Sequence, residues 1–344
     1  MTDAHRMMPQ SWRSWIALAA GTAMLAALPF FATPYYVGLL TTAMIGAMLA
    51  LAVHLLVGAT GLVSLGHGAF YGLAAYVVYL ISPEGAALPI WQTLPAAMVV
   101  AGLAALLIGS LALRTRGFFF LMVTLAFGQM IFFVFHDTKL GGGTDGAYLV
   151  KPLIAAFGFE LNPASLPRVR RAWPVYYVAL VQLVAIYLVL VFLFRSMLGR
   201  VLEGIKINEP RMRALGFNTY RYKLAAFTVA GMFAGAAGHM WSLHTGFVNP
   251  ELVSWQKSAE ALLIILLGGI GSLSGAVVGA FAFYGLAEVA QLVTERKLLV
   301  EGLVILGVVV LLRNGLTGII RLPRLRRGGT SAPEEPPSET RAHG

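Results

Sequence analysis

The sequence predicts an all-α, polytopic membrane protein with about eight to ten transmembrane helices. Three observations lead to that class. Of its 344 residues, 58% are apolar and only 12% are charged, against roughly 45–50% and 25% in soluble domains. The charges are also segregated: residues 14–83 contain no Lys, Arg, Asp or Glu, and further charge-free runs cover 85–113, 117–136, 172–194, 224–250 and 261–287. Roughly 20 apolar residues in helix cross a bilayer core, so these runs accommodate repeated crossings. Finally, the 19 Arg and 6 Lys fall mainly between the apolar runs, as the positive-inside bias requires. That bias accounts for the net charge of +10 without a nucleic-acid partner. A soluble enzyme, a disordered chain and a disulfide-stapled scaffold are excluded. The chain has no Cys, hence no disulfide, thiol nucleophile or Cys-ligated metal.

Taken in order, residues 1–14 form an inner N-terminal segment with Arg6 and Arg13, and the apolar stretch after it reads as an uncleaved first helix. Crossings are expected at about 15–32, 36–57, 61–81, 93–113, 117–135, 174–194 and 224–245. A short or re-entrant element near 259–271 follows, ending at the hinge Gly268-Gly269-Ile270-Gly271-Ser272, then crossings at 275–293 and 298–312. With both termini inside, the inner segments hold 17 basic residues and the outer ones 8. The outer loop 137–173 runs against that bias with Lys139, Lys151, Arg168, Arg170 and Arg171. The membrane domain therefore spans 15–320, and residues 321–344, rich in Pro, Glu and Ser, form a disordered inner tail.

Small residues recur at helical spacing in the spans: Ser64, Gly68 and Gly72; Gly231 and Gly235; Gly271, Gly275 and Gly279. Such stripes let helix backbones approach closely. The segments 61–66 (GLVSLG) and 269–274 (GIGSLS) echo each other and suggest an internal repeat. Ionisable or strongly polar groups inside spans mark pathways or partners; here they are His54, His67, Gln129, Gln182, His239 and Glu288, with Glu260 near a helix start where the dipole favours a carboxylate. His67, flanked by Gly66 and Gly68, either lies near a ligand or hydrogen-bonds a neighbouring helix. The histidines show no metal-ligand spacing, so no metal site is expected.

The inner loop 195–223 (RSMLGRVLEGIKINEPRMRALGFNTYRYK) carries the most information outside the spans. Asn208 suits an N-cap, Glu209 the positive helix start and Pro210 the first turn. Gly216 suits the left-handed position past the end. A capped helix this short is not stable alone. It either docks in a partner's groove or belongs to a solvated basic loop that sets orientation.

That loop, together with GLVSLGHGAFYGLAAY at 61–76, GGGTDG at 141–146 and SAEALLIILLGGIGSLSGAVVGA at 258–280, resembles the LivM-type permeases of branched-chain amino acid ABC importers. The resemblance covers about 36–320, and its motifs come in the family's order. It implies a non-enzymatic membrane subunit of a bacterial inner membrane. It also implies a second, LivH-like permease, two cytoplasmic ATP-binding subunits and a periplasmic substrate-binding protein as partners. The ATPase-coupling helix it implies comprises Glu209, Arg211, Met212, Arg213, Ala214, Leu215 and Gly216, with Arg211 and Arg213 pairing with acidic groups and Met212 and Leu215 filling the groove. In importers generally the matching Gly follows the Glu by six positions; here Gly216 follows Glu209 by seven. A cavity for an aliphatic amino acid would draw on Ser64, His67, Phe70, Thr124, Phe127 and Gln129.

The chain lacks a G-x-x-x-x-G-K-[ST] phosphate loop, so no nucleotide or other cofactor is expected on it; partner subunits would use the ATP. An ion-coupled secondary transporter is the main rival, with Glu288 and His67 as its titratable groups. A serine protease built on Ser274 is excluded because no His follows it in a later span.

Overall fold

The structure is a computed structural model and describes residues 12–82, 89–149, 154–156, 159–161, 172–293 and 302. Residues 1–11, the tail 321–344 and, apart from residue 302, the expected crossing 298–312 lie outside the described residues. The helices are α1 Trp12–Ala27, α2 Pro34–Thr60, α3 His67–Ile81, α4 Ile90–Ala112, α5 Phe118–Asp137, α6 Trp173–Arg195, α7 Met197–Ile207, α8 Glu209–Ala214, α9 Thr219–Thr245, α10 Trp255–Gly268 and α11 Leu273–Val293. Among the described residues six are long and apolar enough to cross a membrane: α2, α4, α5, α6, α9 and α11. The protein is thus an all-α polytopic membrane protein. Its strands are short. β1 (Ala147–Tyr148) pairs antiparallel with β4 (Phe247–Val248), tying the 137–173 loop to the α9–α10 connection, and β2 (Ile154–Ala156) pairs with β3 (Phe159–Leu161).

α2 is apolar on all sides and buried along nearly its whole length, which is how a central helix reads. α9 lies against α2, α3 and α4. Small residues make that closeness possible. A Cβ on Gly231 or Gly235 would overlap Ala105 or Ala101 of α4, and one on Gly68 or Gly72 would strike the 252–258 backbone. Gly275 and Gly279 pack on Gly268, closing α10 and α11 into a hairpin. Gly271 behaves differently from its expected stripe. It lies in the hairpin turn, where a Cβ would meet no neighbouring atom within 4 Å among the described residues, so it contributes nothing to helix packing.

The expected crossing at 61–81 is helical only from His67; residues 61–66 are non-helical. The same architecture recurs once among the described residues. α2 and α9 are each 27 residues long, end on a left-handed glycine (Gly61 φ +72°, Gly246 φ +64°), pass through an irregular segment, and continue as the short helices α3 (15 residues) and α10 (14 residues). At one constant offset Gly46, His54, Thr60, Gly61 and Val63 match Gly231, His239, Thr245, Gly246 and Val248. The two units run in opposite directions: Thr42 near the start of α2 bonds His244 at the end of α9 (3.3 Å). This is an inverted repeat. The counterpart of 61–66 is therefore 246–254, not the expected 269–274, which is the α10–α11 turn. Helix length and chain direction define the repeat, whereas a six-residue likeness in a chain with 38 Gly does not.

Candidate functional site

Two places among the described residues bring together the expected site residues. The first is the knob α7–α8. α7 buries Val201, Leu202 and Ile205 and sends Lys206 Nζ to the Gly58 carbonyl in the last turn of α2 (2.9 Å), where the helix dipole favours a cation. α8 then begins as its sequence implies: Asn208 Oδ1 accepts the Arg211 N–H at 3.0 Å. It ends in a Schellman turn, with Gly216 at φ +87°, Gly216 N–H on the Arg213 carbonyl and Phe217 N–H on the Met212 carbonyl.

Glu209 anchors this knob. Its Oε1 accepts from Arg213 Nη2 (2.6 Å) and Thr219 Oγ1 (3.0 Å), and its Oε2 accepts from Lys223 Nζ (2.6 Å). Partial burial pushes the carboxyl up, but the hydrogen bonds from Lys223 and Arg213, the Lys223 charge and the Thr219 hydroxyl outweigh it and hold the group at about 2. The expected coupling residues therefore divide. Glu209 ties α8 to the base of α9, and Met212 turns inward so that its sulfur packs on Gly204. Arg211, Arg213, Ala214, Leu215 and Gly216 form the outer surface, with Leu215 65% exposed. Two parts of the expectation thus change: Met212 fills a groove of its own chain, and Arg213 is already paired with Glu209.

The second place is where the two interrupted units of the repeat meet. A non-helical backbone inside a bilayer must find its hydrogen bonds within the protein. Here Ser64 Oγ accepts the Gly66 N–H (3.2 Å) and Thr124 Oγ1 accepts the Leu65 N–H (3.3 Å). Ser258 Oγ of α10 accepts the Gly68 N–H (2.7 Å) and donates to the Leu65 carbonyl (2.8 Å). Of the six expected solute-path residues, Ser64, His67, Phe70 and Thr124 gather around the start of α3, all buried inside this chain. The His67 ring lies edge-on to Phe70 and Phe227, at 5.8 and 5.7 Å between centroids. Phe127 is half-buried against the core, and Gln129 lies about 140° around α5 from Thr124 at ~100° per residue. Neither the cavity beside Glu260 and Tyr284 nor the one between α1 and α6 is lined by any of the six.

Sequence reasoning missed the ionisable cluster beside this junction. Glu260 does not cap α10; its Oε2 accepts from Lys257 Nζ (2.8 Å) and its Oε1 from the Tyr284 hydroxyl (2.6 Å). Lys257 Nζ stands 5.3 Å from the Trp241 ring centroid. The i, i+3 spacing of Lys257 and Glu260 was the available signal; Tyr284 is brought in only by the hairpin. The remaining polar groups hold helices together. His54 Nε2 bonds the Ile270 carbonyl in the hairpin turn (2.9 Å), its repeat mate His239 bonds Thr93 (2.9 Å), Gln182 Nε2 donates to the Ala236 carbonyl (2.6 Å), and Glu288 accepts from the Tyr35 hydroxyl (2.9 Å).

An inverted repeat of interrupted helices is the build of a membrane transporter. Residues 35–311 match the family model described as "Branched-chain amino acid transport system / permease component". The chain belongs to that family; it is a transport component and not an enzyme. It is 32% identical to the high-affinity branched-chain amino acid transport system permease protein LivM of Escherichia coli K12, over 83% of this chain and 70% of that one. It is 31% identical to the autoinducer 2 import system permease protein LsrC of Enterobacter sp. 638, over 88% of each chain. It is 25% identical to LivH of Escherichia coli K12, over 79% of this chain and 91% of that one. No solved structure gives a significant match.

Proposed function

We propose that this permease moves a branched-chain or closely related amino acid across a bacterial inner membrane, by alternating access driven by ATPases on separate subunits. The observation that carries the reading is the knob: a pre-capped helix, braced by Glu209 and Lys206, that leaves Leu215 and Arg211 exposed on its surface. An exposed Leu on a rigid, basic helix end is suited to a partner's groove, and an ion-driven carrier has no use for it. In this reading the knob faces the cytoplasm, as both termini do, and engages one of two ATP-binding subunits. A second permease akin to LivH completes the pathway, and an extracytoplasmic binding protein delivers the solute. The chain itself binds no cofactor. The likeness to LivM supports the amino-acid solute, and the likeness to LivH supports the paired permease.

The test is Leu215→Glu in the complete importer reconstituted in proteoliposomes. Burying a Leu side chain is worth about 1.5–3 kcal/mol, so ATP-driven leucine uptake should fall at least tenfold while insertion and yield stay normal. Unchanged uptake refutes the docking role. Leucine accumulation driven by a proton or sodium gradient in this chain alone refutes the ATP-driven reading in favour of a secondary transporter.

A further inference from the structure

The Lys257–Glu260 pair lies near the middle of the membrane domain, by two independent registers. Gly46 and Gly231 sit beside the midpoints of the 27-residue helices α2 and α9. The Tyr284 ring, whose hydroxyl bonds Glu260, covers Gly46, while Phe70, two residues beyond the Ser258–Gly68 contact, lies against Gly231. Ionisable groups at that depth are costly and face protein or a water-filled path. These two are not sealed inside the chain: their side chains keep 26% and 21% of their exposure. The adjoining cavity, about 10 Å³, has room for about one water molecule and joins Lys257, Glu260, Tyr71 and Tyr284 to an apolar wall of Ile45, Leu49 and Ile264. A cation, an anion and an aliphatic surface thus meet at the junction of the two interrupted units, where transporters built from inverted repeats hold their solutes.

We infer that Lys257 and Glu260 form a midplane way-station for a zwitterionic amino acid, Lys257 taking its α-carboxylate and Glu260 its α-ammonium. In the present conformation the two side chains satisfy each other. When α10 moves away from α2, the solute's two charges replace the internal pair one for one, and its side chain lies along Ile45, Leu49 and Ile264. Tyr284 keeps Glu260 oriented throughout. The inference rests on the amino-acid reading above.

The experiment uses the full importer in proteoliposomes with leucine as the probe and three readouts: uptake, ATPase activity stimulated by the loaded binding protein, and melting temperature of the purified complex. Lys257→Met and Glu260→Gln should each lower uptake at least tenfold, with stimulated ATPase within twofold of wild type, although each leaves one midplane charge without its partner and lowers the melting temperature. Lys257→Arg should retain most uptake. Either neutral variant transporting within twofold of wild type overturns the inference. So does a loss of uptake and thermal stability together that the exchanged pair Lys257→Glu/Glu260→Lys fully restores, because a purely structural ion pair is indifferent to the exchange. A wild-type complex that accumulates none of leucine, isoleucine and valine refutes the branched-chain reading itself, and normal wild-type uptake with unaffected variants refutes only the role of the pair.

Discussion

Glu209→Gln isolates the brace of the coupling knob. The carboxylate receives Lys223 and Arg213, each at 2.6 Å, and is held at about 2 against an ordinary 4.5. At 1.36 kcal/mol per pH unit that is at most ~3 kcal/mol. The side chain is about a quarter exposed, at 23%, and solvent screening brings the contribution to ~1–2 kcal/mol. Because the folded carboxyl titrates below the unfolded one, its stabilisation is complete above pH 4.5 and is lost as pH falls toward 2. Hydrogen exchange on peptides covering 209–217 at pH 7 should therefore show protection reduced about 5–30-fold in the variant, with α2 and α9 unchanged. Wild-type protection, corrected for intrinsic exchange, should stay constant from pH 7 to 5. An unaltered variant, or a wild type whose protection already fades between pH 7 and 5, would refute the brace.

Other outcomes follow from the packing. Gly238→Ala drives a methyl into the Tyr71 carbonyl of α3 and should cost about 1–3 kcal/mol or more, read as a lower melting temperature in detergent. Gly271→Ala meets no atom of the described residues within 4 Å and should leave that temperature unchanged, although the sequence spacing groups it with Gly275 and Gly279. Lys206→Met removes the 2.9 Å bond to the Gly58 carbonyl. Uptake should fall several-fold while basal ATPase persists, checked in the same proteoliposomes.

Much of this protein is legible locally. Hydropathy sums over consecutive residues, so α2, α4, α5, α6, α9 and α11 fall close to the charge-free runs. Capping is decided within four or five residues, so Asn208 and Gly216 mark the ends of α8 from sequence alone. What escapes is whatever depends on a distant partner. Nothing near Met212 says that Gly204 leaves room for its sulfur, and nothing near Ser64 says that it serves the backbone of the break.

The sequence by itself determined the membrane class, the long spans, the knob and the family, because these rest on composition, periodicity and contiguous motifs. The tertiary structure decided where α3 and α10 begin, which segments are repeat mates, and that Lys257, Glu260 and Tyr284 meet at one point. Those are consequences of chain direction and of glycine-lined contacts between helices far apart in sequence, and no local window contains them.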